Sequence, residues 1–376
     1  MARAAPPAEA EAEPEADRLE GFPHPRETPR LFGHEAAERA LAEAFASGRM
    51  HHAWLITGRA GIGKATLAYR LARHALALPQ QREAPGARLD VAAEATAVRQ
   101  VRALSHPGLL LLRRPYDARA KRLAQSIPVD EVRKLKSFLA LTSGEAAWRV
   151  VLVDAADELN LNAANALLKS LEEPPQRSLF LLISAEPSQL LPTIRSRCRR
   201  LDLGTLAGEP LRAAAAAALA TRGLEPPDGA AWDTLERLAR GSVRRVLQLS
   251  ASGGLALYAR IERLLASLPR LDWQAAHALT DEMGYGAPEE RFETFFDLFL
   301  DALARLLRAR ATGQGEAADR ALANRLIAPE RLGEWAALWQ AAVSNKADAA
   351  ELNLDRKAML TSLFAALEAL ASTRAP

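Results

Sequence analysis

The sequence predicts an α/β domain built on a parallel sheet, followed by an all-helical half. Three observations carry this prediction. Apolar runs at 53–58, 108–114, 148–159 and 178–187 alternate with segments of helical spacing. Residues 58–64, GRAGIGK, lie between the first such run and a helical segment. Strand, glycine loop and helix form the setting of a phosphate-binding loop. Beyond about residue 205 the strand pattern disappears while helical periodicity continues to the end.

Taken in order, AWLITG (53–58) is a short strand feeding the loop, and KATLAYRLARHALAL (64–78) is a helix that Pro79 ends. Residues 79–95 read as a loop with short helical pieces. GLLLLRR (108–114) is a strand, and PVDEVRKLKSFLAL (128–141) a helix with Pro128 near its first turn. In WRVVLVDAADEL (148–159), the unbroken β-formers Val150–Val153 predict a buried parallel strand with Asp154 at its end. NAANALLKSLEEPP (162–175) is a helix stopped by Pro174 and Pro175, and SLFLLISAEP (178–187) another buried strand. Residues 209–224 and 229–249 are helical, with Gly241 separating two helices in the second stretch. SGG (252–254) marks a boundary before a longer helical domain. The domains expected are therefore a disordered acidic tail at 1–21, an α/β domain at 22–205, a small helical domain at 206–251 and a helical domain at 255–376.

At 376 residues the chain is too long for one small core. Its net charge of +3 does not by itself imply tight nucleic-acid binding. The single cysteine, Cys198, excludes an intrachain disulfide and a cysteine-rich zinc module, and fits a reducing cytoplasm. No apolar run approaches ~18 residues, so no membrane span is expected. The N-terminal MARAAPPAEAEAEPEADRLE is acidic and lacks an apolar core, which fits neither a secretory signal nor a transit peptide.

The chemistry centres on the loop. Backbone N–H groups around Gly58, Gly61 and Gly63, with Lys64, suit nucleotide phosphates. The residue after the lysine normally supplies a hydroxyl to Mg²⁺, but here it is Ala65. Thr66 is a poor substitute, because one helical step turns a side chain by about 100°. Asp154, ending a buried strand beside the loop, is in the position of the second metal contact. Ala155 follows it. Asp157 and Glu158 are expected to open the next helix, ~10 Å or more past the strand end. Two catalytic functions are thus replaced by alanine, which argues against ATP hydrolysis. In TIRSRCRRLDL (193–203), strand alternation would put Arg195, Arg197 and Arg199 on one face and Arg200 on the other. Two readings stay open for this stretch: a solvated basic edge, or an arginine finger whose fork fits phosphate.

NALLKSLEEPP (165–175) followed by PTIRSRC (192–198) resembles the clamp-loader subunits of bacterial DNA polymerase III. GRMHHAWLITGRAGIGKATLAYRLA (48–72), HPGLLLLRR (106–114), WRVVLVDAADELN (148–160) and LNLDRKAML (352–360) are similar to the delta prime branch of that family. The resemblance implies an AAA+ module, a three-helix lid and a helical collar. It places Ser184 at a polar sensor position and Arg244 at a second-sensor arginine in the lid. It makes Arg197 the arginine of an S-R-C motif that reaches ATP held by a neighbouring gamma/tau subunit. It further implies a cytoplasmic hetero-oligomer with gamma/tau and delta subunits, acting on a sliding clamp and primed DNA. That assembly belongs to a DNA polymerase holoenzyme, a nucleotidyltransferase complex, in which this chain itself has neither polymerase nor ATPase activity. Many relatives carry a four-cysteine zinc module after the first helix; this chain has no cysteine there, so zinc is not expected. No cofactor is required, and ATP binding without hydrolysis stays open. The alternatives are an active ATPase of gamma/tau type and a P-loop phosphotransferase, the latter lacking any evident acceptor site.

Overall fold

The computed structural model describes residues 14–84, 86–140, 147–284, 286–352 and 355–372. Residues 1–13 of the tail expected at 1–21 lie outside the described residues. The chain divides into two compact units. The first holds the described residues up to Trp232 together with Ala239–Leu247; the second holds Asp233–Leu238 and the chain from Gln248 onward.

The first unit is a three-layer α/β structure. Helix α1 (Glu35–Ala46) leads into β1 (Ala53–Thr57), the glycine loop and α2 (Lys64–Leu76). After α3 (Thr96–Arg102) come β2 (Leu109–Leu112), a small antiparallel pair β3 (Tyr116–Asp117) and β4 (Arg122–Leu123), and α4 (Val129–Ala140). Then follow β5 (Arg149–Asp154), α5 (Leu161–Glu172), β6 (Ser178–Ser184), the single turn α6 (Pro192–Arg195) and β7 (Arg199–Asp202). Five strands form one parallel sheet in the order β2-β5-β6-β1-β7. The four strands expected from the apolar runs are all present, each shorter than its run, because pairing stops where the chain turns.

Period-2 alternation divides each central strand between two cores. Trp54, Ile56, Val150, Leu152, Leu179 and Leu181 pack with α1 and α2 on one side. Leu55, Val151, Val153, Phe180 and Leu182 pack with α4 and α5 on the other. Asn160 caps α5 by accepting the Ala163 N–H at 2.8 Å, and Pro174 and Pro175 follow the helix end. Arg82 donates to the carbonyls of His74, Ala75 and Ala77, closing the segment after α2. In this way the sheet places Thr57, Asp154 and Ser184 at its carboxyl edge, where open α/β sheets bind ligands.

Three expectations are corrected here. The tail does not extend to 21: residues 15–18 pack into the unit, with the Asp17 side chain only 6% exposed. Residues 193–203 are not one strand, because Pro192 opens a helical turn and only 199–202 pair with β1. The shared face proposed for Arg195, Arg197 and Arg199 therefore does not exist. Asp157 and Glu158 do not open α5; they lie in a 3₁₀ turn, Ala156–Glu158, that folds back before Asn160.

The unit also contains α7 (Gly208–Leu219), the two ends of α8 (Gly229–Ala239) and the greater part of α9 (Val243–Ala251). Gly241 separates the last two as expected, with φ of 79°, a conformation that favours glycine.

The second unit is helical: α10 (Gly254–Ser267), α11 (Trp273–Met283), α12 (Glu289–Thr312), α13 (Ala317–Leu326), α14 (Leu332–Leu352) and α15 (Arg356–Ser372). Asp272 caps α11 through the Ala275 N–H at 3.0 Å. Phe295 and Phe299 stack at 5.7 Å, and Phe364 meets Phe299 edge-on at 5.9 Å. The apolar face of 295–309 belongs to the unit's own core, since Phe295, Phe296, Phe299, Leu303 and Leu306 are all buried. No described helix is long and apolar enough to cross a membrane.

Candidate functional site

The glycine loop has the shape its composition requires. Gly58, Gly61 and Gly63 have φ of 137°, 77° and 108°. A side chain at Gly58 would strike the Leu203 carbonyl, and one at Gly61 would strike Ser242 and Arg244. Lys64 opens α2 and is buried, and its Nζ donates to the carbonyls of Gly58 at 2.6 Å and Arg59 at 2.7 Å. Burial lowers its pKa to about 8, with the charges of Asp154 and Asp157 opposing the shift. Beneath the loop, His34 Nε2 lies 2.8 Å from the Ile62 carbonyl.

Asp154 ends β5 as expected and is buried. Burial raises its pKa to about 7; the Asp17 charge adds to this, and Lys64 opposes it. Ser184 lies at the end of β6, in register with Thr57. Asp154 Oδ2 and Ser184 Oγ are both buried without a partner in the protein. Buried polar oxygens are rarely left so, and two at one sheet edge fit a ligand site. Ala65 presents no oxygen there for a metal ion. Glu158 forms an ion pair with Arg114 at 2.7 Å, and Asp157 Oδ2 accepts the Glu186 N–H at 3.3 Å. Their turn keeps them near the site, where Asp157 acts on Lys64 and Glu158 on Asp154.

Arg244 lies in α9. Its backbone N–H donates to the Gly61 carbonyl at 3.4 Å, and its guanidinium donates to the carbonyls of Asp17 at 3.4 Å and Arg18 at 3.3 Å. The structure thus brings Gly58, Gly61, Gly63, Lys64, Asp154, Ser184 and Arg244 to one edge of one unit.

Sequence reasoning missed the segment whose Asp17 and Arg18 carbonyls contact Arg244, and the groups that anchor it. Glu15 is held by Arg26 at 2.9 Å and Arg113 at 2.7 Å, and Asp17 by Arg113 at 2.7 Å. Asp17 also lies 2.7 Å from Nε2 of the buried His24, whose Nδ1 accepts the Arg26 N–H. Burial works against the Glu15 charge, but hydrogen bonds from Arg26, Arg113 and Arg18 outweigh it and hold the carboxyl at about 2. The sequence signal was weak: two acids beside HPRE in a segment otherwise biased to Ala, Glu and Pro.

Arg197 lies elsewhere, in the turn between α6 and β7. It is partly exposed, donates to the Thr193 carbonyl at 2.9 Å, and pairs with Glu172 at 2.7 Å. Arg199 stacks over Trp54 at 4.8 Å, and Arg200 pairs with Asp202 at 2.6 Å. Arg195 and Arg200 line a cavity of about 350 Å³ with Leu55, Pro187, Pro192 and Ser196.

Residues 33–207 match a family model described as DNA polymerase III, delta subunit. The chain is 44% identical over 147 residues to DNA polymerase III subunit delta' of Pseudomonas aeruginosa, covering 39% of this chain and 41% of that protein. It is 30% identical over 253 residues to subunit delta' of Escherichia coli, covering 66% and 64%. It is also 29% identical over 187 residues to subunit gamma of Buchnera aphidicola, covering 50% and 47%. The chain therefore spans about two fifths to two thirds of the length of these relatives. Over its loop, its S-R-C turn and its parallel sheet, the chain is similar to the delta prime subunits of DNA polymerase III.

Proposed function

We propose that this chain is a non-hydrolysing subunit of a DNA polymerase III clamp loader. In that role it joins gamma/tau and delta subunits in a cytoplasmic hetero-oligomer that places a sliding clamp on primed DNA. It supplies Arg197 to ATP bound by a neighbouring gamma/tau subunit. The observation that carries this reading is the separation of two features within one chain. The chain's own loop lacks the metal hydroxyl and the water-activating carboxylate, at Ala65 and Ala155, while Arg197 sits partly exposed and outside that loop. A subunit at the end of an ATP-using series must present an arginine but need not turn nucleotide over. The glycine loop then serves as the bend between β1 and α2, and nucleotide bound there is not hydrolysed. The helices after residue 255 act as a collar in the assembly.

The similarity to a gamma subunit favours a second reading, an active ATPase. Two measurements separate the two. The first is ATP turnover by the isolated chain, expected at background. The second is DNA- and clamp-stimulated turnover by a loader reconstituted from this chain with gamma/tau and delta subunits, expected to depend on Arg197. A Lys64-dependent rate in the isolated chain would establish the second reading instead. A chain cut after residue 254 should fail to join the loader, and normal assembly by it would remove the collar from the proposal.

A further inference from the structure

Residues 15–18 lie against the loop and lid residues that would meet a nucleotide. The carbonyls of Asp17 and Arg18 take hydrogen bonds from the Arg244 guanidinium, and the Arg244 backbone N–H is bonded to Gly61 of the glycine loop. The strap, the lid arginine and the loop therefore form one continuous contact. On the opposite side, Arg113 grips both acids, with Nη1 on Asp17 and Nη2 on Glu15, each at 2.7 Å. Arg113 follows directly from β2, whose Leu112 is in register with Val153, so it emerges beside Asp154. A guanidinium with its two arms on separate acidic oxygens is also the arrangement that receives phosphate. The Glu15 and Asp17 side chains are 14% and 6% exposed, so the strap is packed in rather than draped over the surface.

We propose that residues 15–18 are an intramolecular occupant of the nucleotide site, anchored by Arg113 and competing with the phosphates of a nucleoside di- or triphosphate for Arg244. This rests on the reading of the loop as a phosphate-binding loop that does not hydrolyse. The strap carbonyls take the Arg244 hydrogen bonds that phosphate oxygens would otherwise accept, and the strap carboxylates tie the segment to Arg113. The site thus keeps its cationic groups paired without a nucleotide. A site open for only a fraction of the time binds with its affinity reduced by that fraction, so release of a strap closed nine tenths of the time or more gives about tenfold tighter binding.

The test is equilibrium titration of the full chain with fluorescent N-methylanthraniloyl-ADP and the matching ATP analogue. The wild type is compared with Glu15→Gln/Asp17→Asn, and with a chain lacking residues 2–18 in case the double variant is poorly folded. Thermal melting confirms that each is folded. Expected is at least tenfold tighter binding in the strap variants, abolished by adding Lys64→Ala. In the wild type, hydrogen exchange at residues 14–20 should rise with millimolar ATP. Equal affinity with and without the strap overturns the proposal, as does absence of binding in every variant, or a gain that survives Lys64→Ala. A freed chain that binds and hydrolyses ATP would leave the strap proposal standing and remove the non-hydrolysing reading. Unchanged affinity with no turnover would do the reverse.

Discussion

Arg197 is paired with Glu172: its Nη2 lies 2.7 Å from Glu172 Oε1, across from the carbonyl of Thr193 that its Nη1 also contacts. The guanidinium is thereby held against the end of α5 while remaining partly exposed. An exposed pair of this kind contributes little to stability, about 0–1 kcal/mol, so it can open at small cost.

Arg197→Ala and Arg197→Lys should leave folding and complex assembly intact, yet depress the stimulated ATPase of a reconstituted loader. Arginine fingers contribute about 10³–10⁵ in rate at the site they serve. Lysine should not rescue, because a point charge lacks the planar fork. Only the site facing this chain should be lost, so total turnover falls in part unless the sites fire cooperatively. Full turnover with Arg197→Ala would mean that the turn carries only a basic edge.

Arg200→Ala should have a much smaller effect in the same assay. Arg200 is one of the β7 residues and lies outside the S-R-C turn that carries Arg197. Equal, small losses for Arg197 and Arg200 would remove the finger assignment.

The isolated chain should show no ATP turnover above background, and Ala155→Glu alone should not create any. The added carboxylate would still face a loop without the metal-holding hydroxyl at position 65. Turnover by Ala155→Glu at a rate that Lys64→Ala abolishes would contradict this.

Asp154 should make the protein less stable as pH rises. Its folded-state pKa is raised by burial to about 7, from a usual value of 3.8. Its contribution to stability is therefore full below about 3.8 and is lost as pH climbs to about 7. Asp154→Asn removes the titration while keeping the shape. It should raise the melting temperature by about 3 °C or more at pH 8, and by less at pH 5. An equal shift at both pH values would show that burial does not disfavour the Asp154 charge.

Phe299→Ala should destabilise the helical unit by about 3–5 kcal/mol, because the ring is fully buried between Phe295 and Phe364. Urea unfolding followed by circular dichroism measures this; a loss under 1 kcal/mol would mean that the cluster repacks around the cavity.

Much of this protein could be determined from its residues in order. Strands, glycine loop and helix between 53 and 78 follow from local periodicity and from positive-φ glycines, which depend only on near neighbours. The missing hydroxyl at Ala65 and the missing carboxylate at Ala155 are absences of atoms, which no folding can restore. Other features were decided only in three dimensions. Arg197 left the strand face assigned to it because Pro192 starts a helical turn, and Asp157 and Glu158 turned back toward Lys64 and Asp154. The apolar face of α12 was spent on Phe364 of α15, within its own unit. The largest difference lies in the tail. Composition marks Glu15 and Asp17 as solvated acids, and it does so correctly for an isolated segment. They are ordered because Arg113 is 98 and 96 residues away in sequence and Arg244 is 227 residues from Asp17. The paired charge and hydrogen bonds that hold them exist only once the sheet brings β2 beside β5, and the chain returns α9 to the loop.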